Sequence, residues 1–330
     1  MTVEIVHAVT ASAIAFLVTY FLTPPFIRYL QKHAMTVEDY HKPDRKKVPR
    51  PGGPVIMLSI AAAELILYFL TMSNGVLAIL FCTLIAFFIG YIDDRKVMPG
   101  YYKPLALVIA SIPIILVGTY DFNLEFPLFG TARIPILYIG LILVMISVTG
   151  NTVNSIDVLN GVVSGFIAIA SIPLIISLFM NEKFEIASVA LLMFFSAIAF
   201  YRYHKYPSRI FPGDSGALAW GAMYGAIAIV GEVEFVAIIA LLPAIINSFL
   251  FLASVKRIVE HRAVRARPVI LMDDYKLMAS REKNAPATLV RMILANGPLP
   301  ENEVTKNIFK LTAFSAGMAV LTALLTRVVI

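Results

Sequence analysis

The stretch Gly90 to Pro104, GYIDDRKVMPGYYKP, closes one apolar run and leads into the next. The run it closes, Gly75 to Ile92, has about the length that a membrane-spanning helix needs. It ends in two adjacent aspartates, Asp93 and Asp94, with Lys103 downstream. Adjacent carboxylates repel, and each is costly near hydrocarbon. A divalent cation, nearby basic groups or bulk water must offset them. The stretch therefore predicts a helix that delivers paired acids to a membrane surface.

The 330 residues are 59% hydrophobic and only 15% charged, with a mean hydropathy of +0.83. Soluble domains carry about 25% charged residues, so the chain reads as a polytopic membrane protein. The single cysteine, Cys82, excludes a disulfide framework and a cysteine zinc site, and reads as a small buried apolar residue. Glu4, and no Lys or Arg, precedes the first apolar run, unlike the start of a signal peptide, so the first helix is expected to be retained. Ten apolar runs occur, at about 5–30, 54–71, 75–92, 104–119, 135–150, 162–180, 185–201, 215–231, 234–253 and 308–328. Turns at Ser73-Asn74-Gly75, Asn181-Glu182-Lys183 and Gly231-Glu232-Val233 join neighbours as helical hairpins.

With ten spans, the links 31–53, 93–103, 151–161, 202–214 and 254–307 share one face of the membrane. That face receives 24 Lys and Arg, counting Arg28 and Lys310 at the adjoining helix ends, against Arg133, Lys183 and Arg327 on the other. By the positive-inside rule the first face is cytoplasmic and both termini lie outside. The net charge of +6 follows from topology and calls for no nucleic-acid partner. The expectation is an all-α, polytopic membrane protein with about ten transmembrane helices, forming one integral-membrane domain over 1–330. The link 254–307 is a cytoplasmic loop subregion between helices nine and ten. Its part from Met272 to Pro300 is amphipathic and too long for a bare connector, so it should fold on that face.

Every chemically suggestive stretch falls on the same face. Asp93 and Asp94 read as a magnesium-linked or proton-accepting pair, or as a solvated helix end neutralised by Arg95 and Lys96. In GNTVNSIDVLNGVVSG (150–165), Asn151, Asn154 and Asp157 are three apart, so a helix aligns them on one face, and Asn160 continues the row. Such a stripe suits uracil or sugar recognition and magnesium, or else hydrogen bonding between helices. In FPGDSG (211–216), Asp214 reads as the N-cap of the next helix, as a magnesium and phosphate site, or as both. Arg265 and Arg267 precede an extended-looking segment, Pro268 to Leu271, and are the best phosphate-binding arginines of a link otherwise explained by topology or anionic lipid. Pro51-Gly52-Gly53 is a turn or a backbone nest for an anion. His7, His33 and His204 read as isolated, and Glu64 lies inside a span with no evident partner. There is no Walker A loop, HExxH, GxSxG or zinc spacing. Acids, amides and arginines at a bilayer surface fit magnesium-assisted pyrophosphate chemistry better than acyl transfer or peptide hydrolysis.

GYIDDRKVMPGYYKP, NTVNSIDVLNG and FPGDSG, in this order and on one face, resemble the polyprenyl-phosphate N-acetylhexosamine-1-phosphate transferases, a glycosyltransferase 4-like family. The resemblance covers nearly the whole chain. It is closer to the archaeal and eukaryotic dolichyl-phosphate GlcNAc-1-phosphotransferases than to the bacterial phospho-MurNAc-pentapeptide translocases. Arg265-Ala266-Arg267-Pro268 stands where the bacterial members have a histidine-rich motif, and Gly297-Pro298 precedes the last helix. The resemblance implies that Asp93, Asp94 and Lys103 are catalytic, the acids handling the lipid phosphate and Lys103 contacting the diphosphate. It implies magnesium, with manganese as a substitute, on Asn154 and Asp214. Asn151 and Asn160 would line the nucleotide pocket, and Arg265 and Arg267 would hold the diphosphate and the N-acetyl sugar. Asp157 and Gly213 join them as substrate-binding residues. Val97, Ala266 and Arg50 depart from the eukaryotic pattern.

The implied reaction is UDP-GlcNAc + polyprenyl phosphate → polyprenyl-PP-GlcNAc + UMP, the first membrane step of N-glycan assembly on a dolichyl-type carrier. The implied setting is an archaeal plasma membrane with the active site cytoplasmic and membrane lipids around it. A homodimer, and a two-step route through a phospho-aspartate, stay open. One alternative is the same chemistry on another UDP-N-acetylhexosamine for cell-envelope polysaccharide. Alternatives of other classes are a transporter with a surface cation site and a membrane pyrophosphatase or lipid phosphatase.

Overall fold

The computed structural model describes residues 2–42, 45–256, 264 and 266–328. The chain opens on a long apolar helix, α1 (Thr2–Lys32), which contains Pro24 and Pro25. An antiparallel hairpin of β1 (Thr36–Glu38) and β2 (Lys47–Pro49) leads to α2 (Gly53–Thr71). The acid-bearing helix is α3 (Asn74–Arg95). Next come α4 (Tyr102–Ala110), α5 (Ile112–Val117) and a second hairpin, β3 (Asn123–Phe126) with β4 (Gly130–Arg133). The helices α6 (Pro135–Ile156), α7 (Val162–Met180), α8 (Phe184–His204), α9 (Gly213–Val230), α10 (Glu234–Ala240) and α11 (Leu242–Val255) follow. A third hairpin, β5 (Val269–Leu271) with β6 (Leu277–Ala279), then α12 (Leu289–Ile293) and α13 (Glu301–Leu325) complete the order.

All ten apolar runs are helical, but they are not ten equivalent spans. Seven helices (α1, α2, α3, α6, α7, α8 and α13) are long and apolar enough to cross a membrane, and the chain is an integral membrane protein. The pair α10 and α11, bent by 66° at Leu241, makes an eighth if counted as one. The fourth run is short and breaks at Ser111, just before Pro113, into α4 and α5. In α9, Asp214 and four glycines dilute the apolarity. The chain is mostly helical, as expected, and three short two-stranded hairpins occupy links between helices. Met272 to Pro300 contains β6, α12 and a short 3-10 turn, with Leu277 and Leu299 bridged through both backbone N–H groups.

Every residue of α9 is buried, and α2, α3, α6, α7, α8 and α10 pack around it. Small residues allow this, because lipid tails give helices little hydrophobic reason to associate and close packing must supply the attraction. A Cβ on Gly90 of α3 would lie 2.5 Å from the Asp214 carbonyl oxygen, and one on Gly221 would lie 2.6 Å from the Thr149 carbonyl of α6. The chain alternates between two ends of this bundle. At one end Lys183 pairs with Glu232, Phe126 packs on Phe235, and the Leu128 N–H reaches the Leu325 carbonyl. Met72, Glu182 and Glu232 take left-handed φ values of 52°, 58° and 57° in its tight turns. At the other end the segment Pro49 to Gly53 lies along Phe211 and Pro212, joined by three backbone hydrogen bonds of 2.8–2.9 Å. The suggestive stretches meet there.

Gly90→Ala should lower stability by about 1–3 kcal/mol, the usual cost of overpacking, and should lower the thermal unfolding midpoint in detergent. Gly140→Ala, where nothing lies within 4 Å, should leave it unchanged or raise it.

Candidate active site

α9 begins at Gly213, so Asp214 is its second residue and not its N-cap. Pro212 holds the cap position and has no side-chain acceptor for the first N–H groups, which no intrahelical carbonyl can serve. Asp94, from the end of α3, serves them. Its Oδ1 accepts from Asp214 N at 3.0 Å, and its Oδ2 accepts from Ser215 N at 2.9 Å and from the Ser215 hydroxyl at 2.6 Å. A carboxylate of one helix thus caps another, an arrangement that also suits the helix dipole and is worth about 0.5–2 kcal/mol. Gly213 makes room for it: at φ +75° its missing Cβ would lie 2.6 Å from Asp94 Oδ2.

The paired acids have separate surroundings. Asp93 is 1% exposed and accepts from Met98 N at 2.8 Å and from Lys103 Nζ at 3.0 Å. Lys103 also lies 3.6 Å from Asp214 Oδ1. One guanidinium nitrogen of Arg50 stands 3.0 Å from Asp94 Oδ1 and 3.0 Å from Asp214 Oδ2, bridging α3 and α9. The solvated-helix-end reading is therefore overturned. Arg95 instead turns back onto the ring and hydroxyl of Tyr91, and the neutralising cations are Lys103 and Arg50. Backbone pairing of Pro49 and Gly52 with Phe211 holds Arg50 in place. Burial works against the Arg50 charge, but Asp214, Asp94 and Asp157 outweigh it and hold its pKa above the ordinary value.

The row Asn151, Asn154, Asp157, Asn160 does not stay on one helix. α6 ends at Ile156, Asp157 is its C-cap, and Asn160 lies in the turn before Gly161, whose φ is +83°. Asn151 donates to the Ser147 carbonyl of its own helix at 2.7 Å. The Asn154 side chain is partly exposed and has no hydrogen-bond partner among the described residues. Asn160 is buried and its hydrogen-bonding capacity is taken up. Its amide donates to Asp39 at 3.1 Å and Glu301 at 2.6 Å, and its oxygen accepts from Lys42 at 3.0 Å and Ser208 N at 2.7 Å. Asn160 thereby ties the α1–α2 link, the start of α13 and the segment after α8 together. Burial pushes the Asp157 carboxyl up to about 7, with Arg50 opposing and the Asp214 and Asp94 charges adding to the rise.

Arg267 is exposed, two residues before β5, with no ion pair among the described residues. Arg265 lies outside the described residues. His204 is not isolated: its Nδ1 shares a hydrogen bond with the Ser164 hydroxyl at 2.9 Å, and its Nε2 is 3.8 Å from Asp157. Glu64 is buried with both oxygens unpartnered among the described residues. The residues missed as site residues are Arg50, Ser215 and His204. Charge balance was the available signal for Arg50, since three acids converging on one face need more than Lys103.

This geometry can be set beside known proteins. Residues 76–232, from α3 to the turn after α9, match the model of glycosyl transferase family 4. Over that stretch the chain is similar to that family. A Saccharolobus solfataricus protein is 26% identical over 321 residues, covering 96% of this chain and 97% of its own length. It carries the provisional name UDP-N-acetylglucosamine–dolichyl-phosphate N-acetylglucosaminephosphotransferase. The phospho-N-acetylmuramoyl-pentapeptide-transferase of Streptococcus mutans is 29% identical, covering 70% of this chain and 74% of its own. That of Chlorobaculum parvum is 28% identical, covering 74% of each.

The Asp157 shift makes a prediction about pH. Its carboxyl is protonated in both states below its ordinary value of 3.8, and in the fold it resists ionisation up to about 7. Its contribution to stability is thus complete at low pH and is lost as pH rises through 7. Thermal unfolding of the wild type and of Asp157→Asn should show the wild type losing ground to the variant between pH 4 and 7, with a constant gap above that range.

Proposed function

We propose that this chain transfers an N-acetylhexosamine-1-phosphate, in the first instance GlcNAc-1-phosphate, from its UDP-sugar to a polyprenyl phosphate. The observation that carries the reading is the convergence of Asp93, Lys103, Asp214 and Arg50 at one end of an apolar bundle. The family match and the names of the relatives support the same chemistry. The balance of Lys and Arg supports ten crossings, with this end of the bundle cytoplasmic and both termini outside.

The donor set fits magnesium. Asp93, Asp94, Asp157 and Asp214 set four carboxylates against Arg50 and Lys103, a formal −2 over these six side chains. Among the described residues no three acids, histidines or cysteines form a ready-made cage. Magnesium commonly binds through one or two carboxylates plus substrate phosphates. Asp214 and Asn154 would hold it, where it would neutralise diphosphate charge.

The chain's own groups do the remaining work. An oxygen of the lipid phosphate attacks the phosphorus that bears the sugar, and the bond from that phosphorus to the UMP oxygen breaks. One phosphoanhydride replaces another. Lys103 and Arg50 offset charge on the phosphoryl oxygens. Asp93, held by Met98 N on one oxygen and by Lys103 on the other, orients the incoming phosphate through that lysine. Asp94 is a positioning residue, because both its oxygens are committed to α9 and Arg50. With a phosphate second pKa of about 6, the acceptor needs little general-base help. Bringing two anions together is the larger task.

A dolichyl carrier and the opening of N-glycan assembly in an archaeal plasma membrane are the finer reading, favoured by the relative that spans nearly the whole chain. The pentapeptide-transferase relatives favour a second one, the same transfer from another UDP-N-acetylhexosamine for cell-envelope polysaccharide. Purified protein with UDP-GlcNAc, dolichyl phosphate and magnesium should yield UMP and a glycolipid, whereas inorganic phosphate or no product would contradict the proposal. Asp214→Ala should lower kcat by about 10²–10³-fold, as loss of a principal electrostatic group does, with the protein still inserted and folded.

A further inference from the structure

A second concave site lies beside the one just described and shares none of its acids. It is a cavity of about 260 Å³ between the end of α1, strand β2 and the segment after α8. Pro24, Ile27, Val48 and Pro49 line it together with Arg28, Lys46, Lys47 and Arg209. We propose that this cavity binds the phosphodiester headgroup of an anionic membrane phospholipid.

Four basic residues from three separate segments converge on it. Among the described residues, Arg28, Lys47 and Arg209 make no ion pair with a carboxylate; Arg209 lies over the Tyr203 ring at 5.5 Å. Like charges drawn around a concavity raise its potential and attract an anion. Topology alone explains basic residues at a membrane surface, but it does not explain their convergence on a hollow whose described lining residues include no acid. The hollow also has an apolar floor, since Ile27, Val48 and Pro49 are buried. Its volume is far more than a single water needs.

The lipid source follows from position along α1. Leu17, Phe21 and Leu22 are exposed apolar residues on that helix. Arg28 lies seven residues beyond Phe21, about 10 Å at 1.5 Å per residue. That is the depth over which apolar groups reach into the boundary between headgroups and acyl chains. An acyl chain lying along Phe21 and Leu17 places its phosphate at Arg28, and basic pockets between membrane helices bind anionic headgroups in this way. The occupant rests on β2, whose next residue is Arg50, yet its binding requires no turnover and stands apart from the proposed transfer reaction.

The test is thermal unfolding of the detergent-purified protein with phosphatidylglycerol, phosphatidylcholine or inorganic phosphate, alongside native mass spectrometry of retained lipid. Phosphatidylglycerol should raise the midpoint and stay bound, and Arg28→Gln/Lys47→Gln/Arg209→Gln should weaken its binding at least 10-fold. Lys47→Gln alone, at an exposed strand position, should weaken it in the same direction. An equal shift with phosphatidylcholine, an equal shift with inorganic phosphate, or undiminished binding by both variants would overturn the proposal.

Discussion

The candidate site is built on one hydrogen-bonding constraint: the first N–H groups of a wholly buried helix need an acceptor. α9 is encased by its neighbours along its whole length, so water cannot serve its N-terminus as it serves a surface helix. Pro212 brings no acceptor, and the carboxylate of Asp94 is supplied from α3. That bond requires the end of α3 and the start of α9 to touch, which explains why Gly90 and Gly213 stand at the contact. Once the two ends touch, Asp93 and Asp214 are neighbours as well, and the crowding of acids is a consequence of capping.

The crowding then dictates the cations. A buried carboxylate without a partner is strongly destabilising, and pairing recovers that cost only with good geometry. Lys103 and Arg50 supply it at 3.0 Å, the first from α4 and the second from the link held along Phe211. Two cations leave the four acids under-neutralised; burial pushes the Asp157 carboxyl up to about 7, and the Asp214 and Asp94 charges add to the rise against Arg50. A group of this kind is receptive to added positive charge and already presents the lysine and arginine that a phosphoryl group needs. The proposed transfer uses both properties.

Much of this was legible in the sequence because it rests on local pattern. The ten apolar runs, the tight turns and the clustering of Asp93, Asp94, Lys103, Asn154 and Asp214 at one end follow from span length and alternation. What was not legible depended on tertiary contact. Asp214 looked like the N-cap because Asp is a good one, and nothing local revealed that the acceptor would come from 120 positions earlier. Asn160 looked like part of a helical stripe, but the chain leaves α6 at Asp157 and buries Asn160 among Asp39, Lys42, Ser208 and Glu301. Arg50 looked like a departure from a family pattern, yet it is the bridge between α3 and α9. Span length alone did not reveal that Ser111 breaks the short fourth run or that the glycines of α9 lower its apolarity.

Capping of α9 by Asp94 is most directly tested by hydrogen–deuterium exchange at the amides of Asp214 and Ser215 in the wild type and in Asp94→Ala. Exchange at these two amides should speed up in the variant while the middle of α9, from Trp220 onward, stays protected. Unchanged exchange at Asp214 and Ser215 would contradict the capping arrangement and the architecture of the site that follows from it.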